Sequence, residues 1–386
     1  MKRAKLSILF IAFCSMINLS MSSIIAKLVM SFPDIPVTRI QLVMTIPNLT
    51  GIGVTLLSGV LMTRMRKKPL VLVYLLLGIF TVMPLLIHGS FPLLLVAAVL
   101  LGIFTGTNSV CNSLISELFE GEERAALMGL NTGIGQFGAV FFSLLGGVLA
   151  TRSWWNLYAV FLFFIPLFIC SILFLPKGQK PERAPVEKKS PSGKLGLGKA
   201  VPYIIMISVF FCAMFSFALN NSLLLEERGY TSTALAGAST AVGFAAGGIV
   251  GLFFGRLNKL LGRFLMPVGA LLALAGFGLF AFTQHLVFCF LASIFIGSAM
   301  SVMFPATLAI CSFSVPPQSA SLAISLAVVF QGIGSSSSAV VITGLASLFG
   351  LYSATEKMLV STALSLLLFA VHLILALRRK PAVKNA

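Results

Sequence analysis

The sequence predicts an all-α membrane protein of twelve transmembrane helices, arranged as two pseudo-symmetric bundles of six. Three observations lead to this fold class. First, 58% of the 386 residues are hydrophobic and 10% are charged, whereas a soluble chain averages about 45–50% apolar and about 25% charged residues. Second, about twelve apolar runs reach the roughly 20 residues that a helix needs to cross a bilayer core. Third, one long polar segment separates six runs from six. Soluble folds are therefore excluded.

The runs are delimited by charge clusters and by proline and glycine turns. The first run is nearer 25 residues than the roughly 7–15 of a signal peptide, which makes it an uncleaved first span. Most runs exceed the minimum length, so the helices have room to tilt. The predicted spans are residues 6–30, 38–62, 69–87, 91–117, 125–150, 154–175, 201–225, 231–255, 264–283, 286–313, 320–345 and 354–377.

The net charge of +17 would suggest binding to nucleic acid in a soluble protein. Here the basic residues are instead concentrated in alternate loops. Alternate loops place 22 of the 27 Lys and Arg residues on the side of the amino terminus and four on the other, with Lys27 inside the first span. We call these the basic side and the opposite side. The positive-inside rule predicts a multi-pass protein of the cell membrane with both termini cytoplasmic and no nucleic-acid partner.

The domain division follows from the long polar segment. Residues 176–200 hold seven basic and two acidic residues and are interpreted as a solvated cytoplasmic linker, with contact to anionic lipids as the alternative. Residues 1–175 form the predicted N-terminal six-helix bundle, and residues 201–386 form the C-terminal one.

The two halves also repeat each other in sequence, as expected of a duplicated six-span unit. The eighth span carries a glycine every fourth residue from Gly243 to Gly255, and the second span has a similar stripe. Such stripes indicate close helix packing, since no strand precedes them as a phosphate-binding loop would require. The matched pairs are Gly51 with Gly243, Gly59 with Gly251, Arg64 with Arg256 and Lys67 with Lys259 at a shift of 192, and Gly102 with Gly297 and Gln136 with Gln331 at a shift of 195.

The loop after the second span, residues 59–68, resembles the signature loop of the major facilitator superfamily of secondary transporters, Gly-x-Leu-x-Asp-Arg-x-Gly-Arg/Lys-Arg/Lys. Thr63 stands where Asp is usual, and Arg66 stands where Gly is usual. A degenerate copy occupies residues 251–263, and the acidic-then-Arg segment 117–124 is similar to the connection between the fourth and fifth spans of many members. The resemblance implies the fold of this family, with a substrate site between the halves and transport by alternating access.

Charges at the basic side predict a gate. Arg64, Arg66 and Lys67 can pair with Glu117 or Glu123, forming a latch that favours the outward-facing state, although each exposed pair contributes only about 0–1 kcal/mol. The alternative is that these residues only set orientation, and the missing Asp at Thr63 weakens the latch. The gate candidates are Gly59, Arg64, Arg66, Lys67, Glu117, Arg124 and Arg256.

Polar residues inside the spans predict the substrate pathway, because a polar group in hydrocarbon is costly unless it faces protein or water. In the fourth span, for example, three polar residues share one helix face. The resemblance implies that spans one, four, seven and ten line the cavity, with five, eight and eleven contributing. Hydrogen bonding between helices is the alternative role for each amide. For Lys27 the alternatives are snorkelling to the interface and binding an anionic substrate. The pathway candidates are Asn18, Lys27, Thr105, Asn108, Asn112, Gln136, Asn220, Asn221, Gln331 and Ser335.

The sequence lacks the residues that several kinds of chemistry require. No Asp or Glu lies in the middle of a span, so a proton as coupling ion is implied by the resemblance alone. The six cysteines and three histidines have no metal or redox spacing, and no catalytic constellation is present. The sequence thus predicts a protein that is not an enzyme and uses no metal or cofactor.

The predicted function is secondary active transport of a small organic solute, neutral or anionic, held by amides and hydroxyls. The phenylalanine-rich spans with few charges favour efflux of amphiphilic compounds such as drugs. Uptake of a metabolite or organic anion is the alternative, and a non-transporting membrane sensor or scaffold is the alternative of another class. The expected partners are the substrate and the lipid bilayer, and the chain is expected to be a monomer.

Overall fold

A computed structural model describes residues 2–176 and 197–378. In this part of the chain every regular element is helical, and twelve helical segments are long and apolar enough to cross a membrane. The predicted fold class is confirmed, and the chain is a multi-pass membrane protein. Most of the predicted linker lies outside the described residues. The spans are Arg3–Ser23, Val37–Met62, Lys67–Leu86, Phe91–Leu118, Leu127–Leu149, Trp154–Phe174, Val201–Glu227, Thr233–Leu252, Phe254–Phe282, Leu286–Phe313, Leu322–Leu348 and Ala354–Arg378.

The helices follow the predicted spans closely. Short 3₁₀ segments continue several of them, at Ile17–Ser23, Phe80–Val82, Trp154–Phe163 and Gly262–Phe264, and another stands at Leu197–Lys199. The first-half helices are α1 Lys2–Cys14, α2 Ile25–Ser31, α3 Val37–Met62, α4 Lys67–Ile79, α5 Met83–Leu86, α6 Phe91–Leu118, α7 Gly121–Leu149 and α8 Phe164–Phe174. The second-half helices are α9 Val201–Glu227, α10 Thr233–Leu252, α11 Phe254–Leu261, α12 Leu265–Phe282, α13 Leu286–Phe313, α14 Pro317–Leu348 and α15 Ala354–Arg378.

The first span departs from a continuous α-helix. Between α1 and α2 the chain forms the 3₁₀ segment Ile17–Ser23. Within it the Ser20 hydroxyl donates to the carbonyl of Ile17 at 2.7 Å, and the Ser23 hydroxyl donates to that of Ser20 at 2.8 Å. Serine hydroxyls that bond carbonyls three residues back compete with the α-helical ladder, and a 3₁₀ segment inside a span often marks a functional hinge.

The eighth span ends earlier than predicted. Helix α10 ends at Leu252 rather than near residue 255, and the separate helix α11 follows. Arg256 and Lys259 lie on α11, and none of its residues is buried. Because these charged residues favour water over hydrocarbon, the apolar stretch of the eighth span ends before them. The ninth span, Phe254–Phe282, includes α11 and therefore begins earlier than the predicted residue 264.

Glycine contacts recur in both halves and join corresponding helices. A Cβ atom added at Gly102 of α6 would lie 2.8 Å from the carbonyl oxygen of Pro47 in α3. A Cβ atom added at Gly297 of α13 would lie 1.9 Å from the carbonyl oxygen of Gly243 in α10. Both distances are too short for a side chain, so only glycine allows this approach. The repeat found in the sequence therefore corresponds to a repeated helix contact. The same packing holds at Gly247 but not at Gly255, where a Cβ atom would meet nothing within 4 Å.

Helix α7 presents three glycines to the irregular part of the first span. A Cβ atom at Gly138 would lie 1.8 Å from the Phe13 carbonyl oxygen, and one at Gly146 would lie 2.8 Å from the Ser20 Cβ atom. A Cβ atom at Gly135 would lie 3.0 Å from the Ser15 hydroxyl. The α7 backbone therefore packs directly on the first span around its 3₁₀ segment.

The chain divides into two compact units. One consists of Met1–Gly193 with Ala218–Ala241, and the other of Lys194–Phe217 with Val242–Ala386. The boundary crosses α9 and α10, so that the end of α9 and the start of α10 pack with the first-half helices. The division of the chain into residues 1–175, 176–200 and 201–386 follows the sequence repeat and remains a prediction.

A sharp turn joins α9 to α10. Gly229 has a φ of +83°, which favours glycine, and the amide of Tyr230 donates to the Leu225 carbonyl while that of Gly229 donates to the Glu226 carbonyl, both at 2.8 Å. These two bonds form a Schellman motif, which satisfies the last carbonyls of α9.

Candidate functional site

A cluster of buried polar side chains lies where the ends of α9 and α10 meet the first-half helices. We call Gln41, Asn220, Asn221, Ser239 and Thr240 the amide cluster. The Gln41 amide donates to Asn220 Oδ1 at 3.0 Å and to the Leu219 carbonyl at 3.2 Å. The Asn221 amide donates to Thr240 Oγ1 at 3.2 Å, and its Oδ1 accepts from the Ser239 hydroxyl at 3.3 Å. All five side chains are buried, so the hydrogen bonds offset the cost of removing them from water.

The first span joins the same region. The Ser22 and Thr240 hydroxyls share a hydrogen bond of 3.1 Å, and the backbone amide of Ala26 donates to the Ser222 hydroxyl at 3.2 Å. Helices α9 and α10 are therefore bonded to α2, α3 and the 3₁₀ segment of the first span. Asn220 and Asn221, predicted as pathway residues, have their amides engaged by protein in this arrangement.

Three other pathway candidates differ from the amide cluster. Asn18, Asn108 and Gln136 are half-buried, and among the described residues no hydrogen-bond partner is found for their side chains. They lie on the 3₁₀ segment of the first span, on α6 and on α7. An amide with neither a protein partner nor full burial keeps its hydrogen-bonding capacity for water or a solute.

Two further candidates on α6 contact protein. The Thr105 hydroxyl donates to the Gly102 carbonyl at 2.7 Å and faces α3, since a Cβ atom at Gly51 would lie 2.4 Å from it. Asn112 is exposed and accepts at its Oδ1 a hydrogen bond of 3.3 Å from Asn131.

Two pathway candidates, Gln331 and Ser335 of α14, lie in the second unit. The Gln331 amide reaches the Ser335 hydroxyl at 3.4 Å, and that hydroxyl donates to the Gln331 carbonyl at 3.1 Å. One turn later the Ser338 hydroxyl donates to the carbonyl of Cys212 in α9 at 2.6 Å. This face of α14 therefore packs on α9, with the half-buried Gln331 at its edge.

Lys27 lies beyond Ser23, where the first described span ends. Its ammonium group donates to the carbonyls of Ala150 and Thr151, both at 2.7 Å. These carbonyls follow the end of α7, where a cation interacts favourably with the helix dipole. Burial lowers the pKa of Lys27, and the negative charge of Glu226 partly offsets that effect. The contacts of Lys27 with carbonyls at a helix end are of the kind that the snorkelling alternative expects. A role of Lys27 in substrate binding remains a prediction.

Among the described residues, the gate candidates contain one half-buried ion pair. Lys67 pairs with Glu117, and their side chains are only 16% and 12% exposed; Lys67 also donates to the Ser113 carbonyl at 3.2 Å. This pair connects the start of α4 to the end of α6. Glu123, the other predicted acid, pairs instead with Lys5.

Four of the five remaining gate candidates are exposed. Gly59, Arg64 and Arg66 are exposed, and the guanidinium of Arg256 lies 5.6 Å from the centre of the Phe253 ring. The side chain of Arg124 lies outside the described residues. The latch role of these residues therefore remains a prediction.

Sequence reasoning missed three amides, namely Gln41, Asn48 and Asn131. Gln41 and Asn48 lie in the second span, which the resemblance does not assign to the cavity. Asn131 lies in the fifth span, next to the helix face on which Gln136 was selected. The signal that could have found them is the one used elsewhere, an amide within an apolar run.

Comparisons with known proteins agree with this architecture. A model of the family described as Major Facilitator Superfamily matches residues 8–339 and 204–386. No curated protein matches the chain.

Three similar solved structures are transporters. The nucleoside transporter NupG has a TM-score of 0.77 at 13% identity, covering 98% of this chain and 100% of that one. The peptide transporter POT in complex with sulfate has a TM-score of 0.77 at 15% identity, covering 97% and 94%. A bacterial homolog to the human lysosomal transporter Spinster, inward-facing and occupied, has a TM-score of 0.73 at 17% identity, covering 98% of each chain. At these identities the likeness shows the fold.

Proposed function

The chain belongs to the major facilitator superfamily, and on that premise we propose that it is a secondary active transporter that moves a small organic solute across the membrane by alternating access. The solute is an amphiphile, neutral or anionic, and the direction is efflux. The 34 phenylalanines and the scarcity of charge in the spans support an amphiphile. Acidic side chains within the described spans occur only near their ends.

The observation that carries this proposal is the set of half-buried amides, Asn18, Asn108 and Gln136. A solute held by amides exchanges hydrogen bonds with water for hydrogen bonds with protein, which suits neutral and weakly anionic groups. A cationic solute would need a carboxylate partner to offset the cost of its desolvation. The amide set therefore favours a neutral or anionic substrate.

The test is transport by the full chain in proteoliposomes. Nile red serves as the neutral amphiphile, carboxyfluorescein as the organic anion and uridine as a polar solute, each with and without a pH gradient. We expect transport of an amphiphilic probe. We expect Asn108→Leu to lower it by about 2- to 13-fold, since one lost hydrogen bond to a bound solute is worth about 0.5–1.5 kcal/mol.

A matched control is Thr362→Val on α15, where the hydroxyl donates at 2.7 Å to the Met358 carbonyl of its own helix. Transport should survive this change. Entry of uridine alone would overturn the assignment to amphiphiles in favour of metabolite uptake. Failure of every probe to cross would favour a sensor or scaffold.

We also propose that the basic side faces the cytoplasm of a cell membrane and that the chain works as a monomer. The distribution of Lys and Arg supports the orientation. Protease protection of tags at the two termini in intact cells tests it, because external cleavage of either tag would contradict the orientation. Mass measurement in detergent tests the monomer.

A further inference from the structure

The ammonium group of Lys27 lies on the opposite side of the first unit, at the end of α7. It donates to the carbonyls of Ala150 and Thr151, both at 2.7 Å. Helix α7 ends at Leu149, and the last carbonyls of a helix have no amide donors from the helix itself. Adjacent carbonyls at the negative end of a helix dipole attract a cation. The end of α7 is therefore an oxygen site suited to a positive charge.

The end of α9 supplies a negative charge to this site. Glu226 is half-buried, and in the described part of the chain its Oε1 atom is buried without a hydrogen-bond partner. The charge of Glu226 opposes the lowering of the Lys27 pKa that burial causes. Attraction between charges is stronger where water is excluded. The carboxylate therefore stabilises a cation at the carbonyls without touching it.

A small space beside the ammonium group completes the site. Its volume is about 10 Å³, and Lys27, Glu226, Ser23 and Ser222 are among the residues that line it. This is room for about one water. Carbonyl oxygens replace the hydration shell of monovalent cations in channel filters, and hydroxyl and carboxylate oxygens are further ligands of hard cations. The Lys27 ammonium therefore occupies a position that a small ion would otherwise fill.

The site joins elements that separate when the opposite side opens. Lys27 belongs to α2, its carbonyl partners follow α7, and Glu226 belongs to the end of α9; all of them lie in the first unit. Next to them the Thr233 hydroxyl of α10 donates to the Gly147 carbonyl of α7 at 2.9 Å. A Cβ atom added at Gly147 would lie 2.7 Å from the Thr233 carbonyl oxygen. The two backbones therefore touch beside the cation site, and the site forms part of the closure.

We propose that the end of α7 and Glu226 form a binding site for a small monovalent cation, that the Lys27 ammonium fills this site as a tethered ion, and that occupation of the site holds the opposite side closed. The gate role rests on the alternating access proposed above, whereas binding of the cation does not. A free ammonium ion has the charge and the N–H donors of Lys27. Sodium has the charge without the donors, and choline is too large for the space.

The test is chemical rescue of Lys27→Ala in the full chain in detergent. Truncation at Cβ vacates the position of the ammonium group and leaves both carbonyls and Glu226 in place. Lys27→Met is the matched variant, because its side chain fills the space of the lysine stem without a charge. The chlorides of ammonium, sodium and choline are compared at equal concentration and equal pH.

Thermal unfolding measures occupation of the site, since an ion that binds the folded state raises the unfolding temperature. We expect ammonium to stabilise Lys27→Ala more than sodium does, and choline not to stabilise it. Lys27→Met and the parent should show no difference between ammonium and choline, because in both the site is filled by a side chain.

Opening is measured by N-ethylmaleimide alkylation of a cysteine introduced at Ala236, which is 2% exposed and lines the same space. Lys27→Ala should raise the alkylation rate about tenfold. This factor is near the lower end of what one hydrogen bond to a charged group contributes, as suits a partly exposed site. Ammonium should return the rate of Lys27→Ala most of the way to the parent value and should not change that of Lys27→Met.

Two further variants test specificity. Lys68 also donates to a carbonyl near a helix end, that of Ile172 at 2.6 Å, but on the basic side. Lys68→Ala should therefore leave Ala236 alkylation at the parent value in every salt. Adding Glu226→Gln to Lys27→Ala should weaken the stabilisation by ammonium, because the site then lacks its negative charge.

Equal effects of ammonium and choline on the unfolding of Lys27→Ala would overturn the cation site. An alkylation rate of Lys27→Ala at the parent value would overturn the gate role, as would stabilisation by ammonium that leaves a raised rate unchanged. If Lys27→Ala does not keep its helical circular dichroism, Lys27→Met alone tests the gate, since its alkylation rate should also rise about tenfold. None of these results depends on the transported solute, so failure of every transport probe would leave them unchanged.

Discussion

Opening of the opposite side should be controlled by Gln41. Its amide makes two hydrogen bonds to α9, to the Leu219 carbonyl and to Asn220 Oδ1. Hydrogen bonds between helices in membranes average about 0.6 kcal/mol and reach about 1–1.5 kcal/mol, so Gln41→Leu should destabilise this contact by about 1–2 kcal/mol. Such a loss increases the population in which α9 has left α3 by about 5- to 30-fold.

The assay uses a cysteine introduced at Ala236, which is 2% exposed beside the amide cluster. Because the sharp turn at Gly229 joins α9 to α10, the rate of alkylation by N-ethylmaleimide at this position reports movement of the joined ends of both helices away from the first-half helices. It is measured by peptide mass spectrometry. We expect the rate to rise by the same 5- to 30-fold, or about tenfold at the centre of that range, in the Gln41→Leu protein.

The matched control is Asn48→Leu, seven residues further along α3. Its amide makes a single contact of 3.5 Å to the Met44 carbonyl of the same helix, so the alkylation rate should not change. The reasoning is refuted if Gln41→Leu leaves the rate at the parent value, or if Asn48→Leu raises it as much.

The other predictions concern stability. Gly297→Ala places a Cβ atom 1.9 Å from the Gly243 carbonyl oxygen. The forced separation of α10 and α13 should lower the free energy of unfolding by about 1–3 kcal/mol. Gly278→Ala, whose Cβ atom meets nothing within 4 Å, should be neutral or slightly stabilising, and thermal unfolding in detergent compares the two variants. Glu117→Gln leaves the half-buried Lys67 without its carboxylate and should cost about 1–3 kcal/mol. Glu123→Gln should cost no more than about 1 kcal/mol because its pair with Lys5 is exposed, and equal unfolding temperatures for these two variants would show that burial does not decide the strength of the pair.

The twelve spans were predictable because span length and hydropathy reflect one dominant cost, that of unsatisfied polar groups in hydrocarbon. The 3₁₀ segment Ile17–Ser23 was not predicted, since it depends on serine hydroxyls bonding backward and on contact with the glycines of α7. The end of α10 was placed about three residues too late, because Phe253 and Phe254 keep the sequence apolar up to Arg256.

The candidate site was predictable as a set of residue types but not as an arrangement. Sequence identifies Asn220 and Asn18 as polar groups in apolar surroundings with equal weight. The structure separates them, because Asn220 accepts a hydrogen bond from Gln41 while Asn18 is half-buried with no such contact. Which amide meets another depends on helix packing, and a single sequence carries no information on the pairing.

The glycines of α7 have a mechanical consequence. Where Gly138 and Gly146 touch the first span, no side chain lies between the two segments to change rotamer and absorb a displacement. We therefore expect a shift of α7 to move residues 13–20 with it. Asn18 and Gln136 lie on these two packed segments, so we expect the two residues to move together. A solute that contacts both amides would then keep these two contacts while the protein changes conformation, and its release would depend on contacts elsewhere.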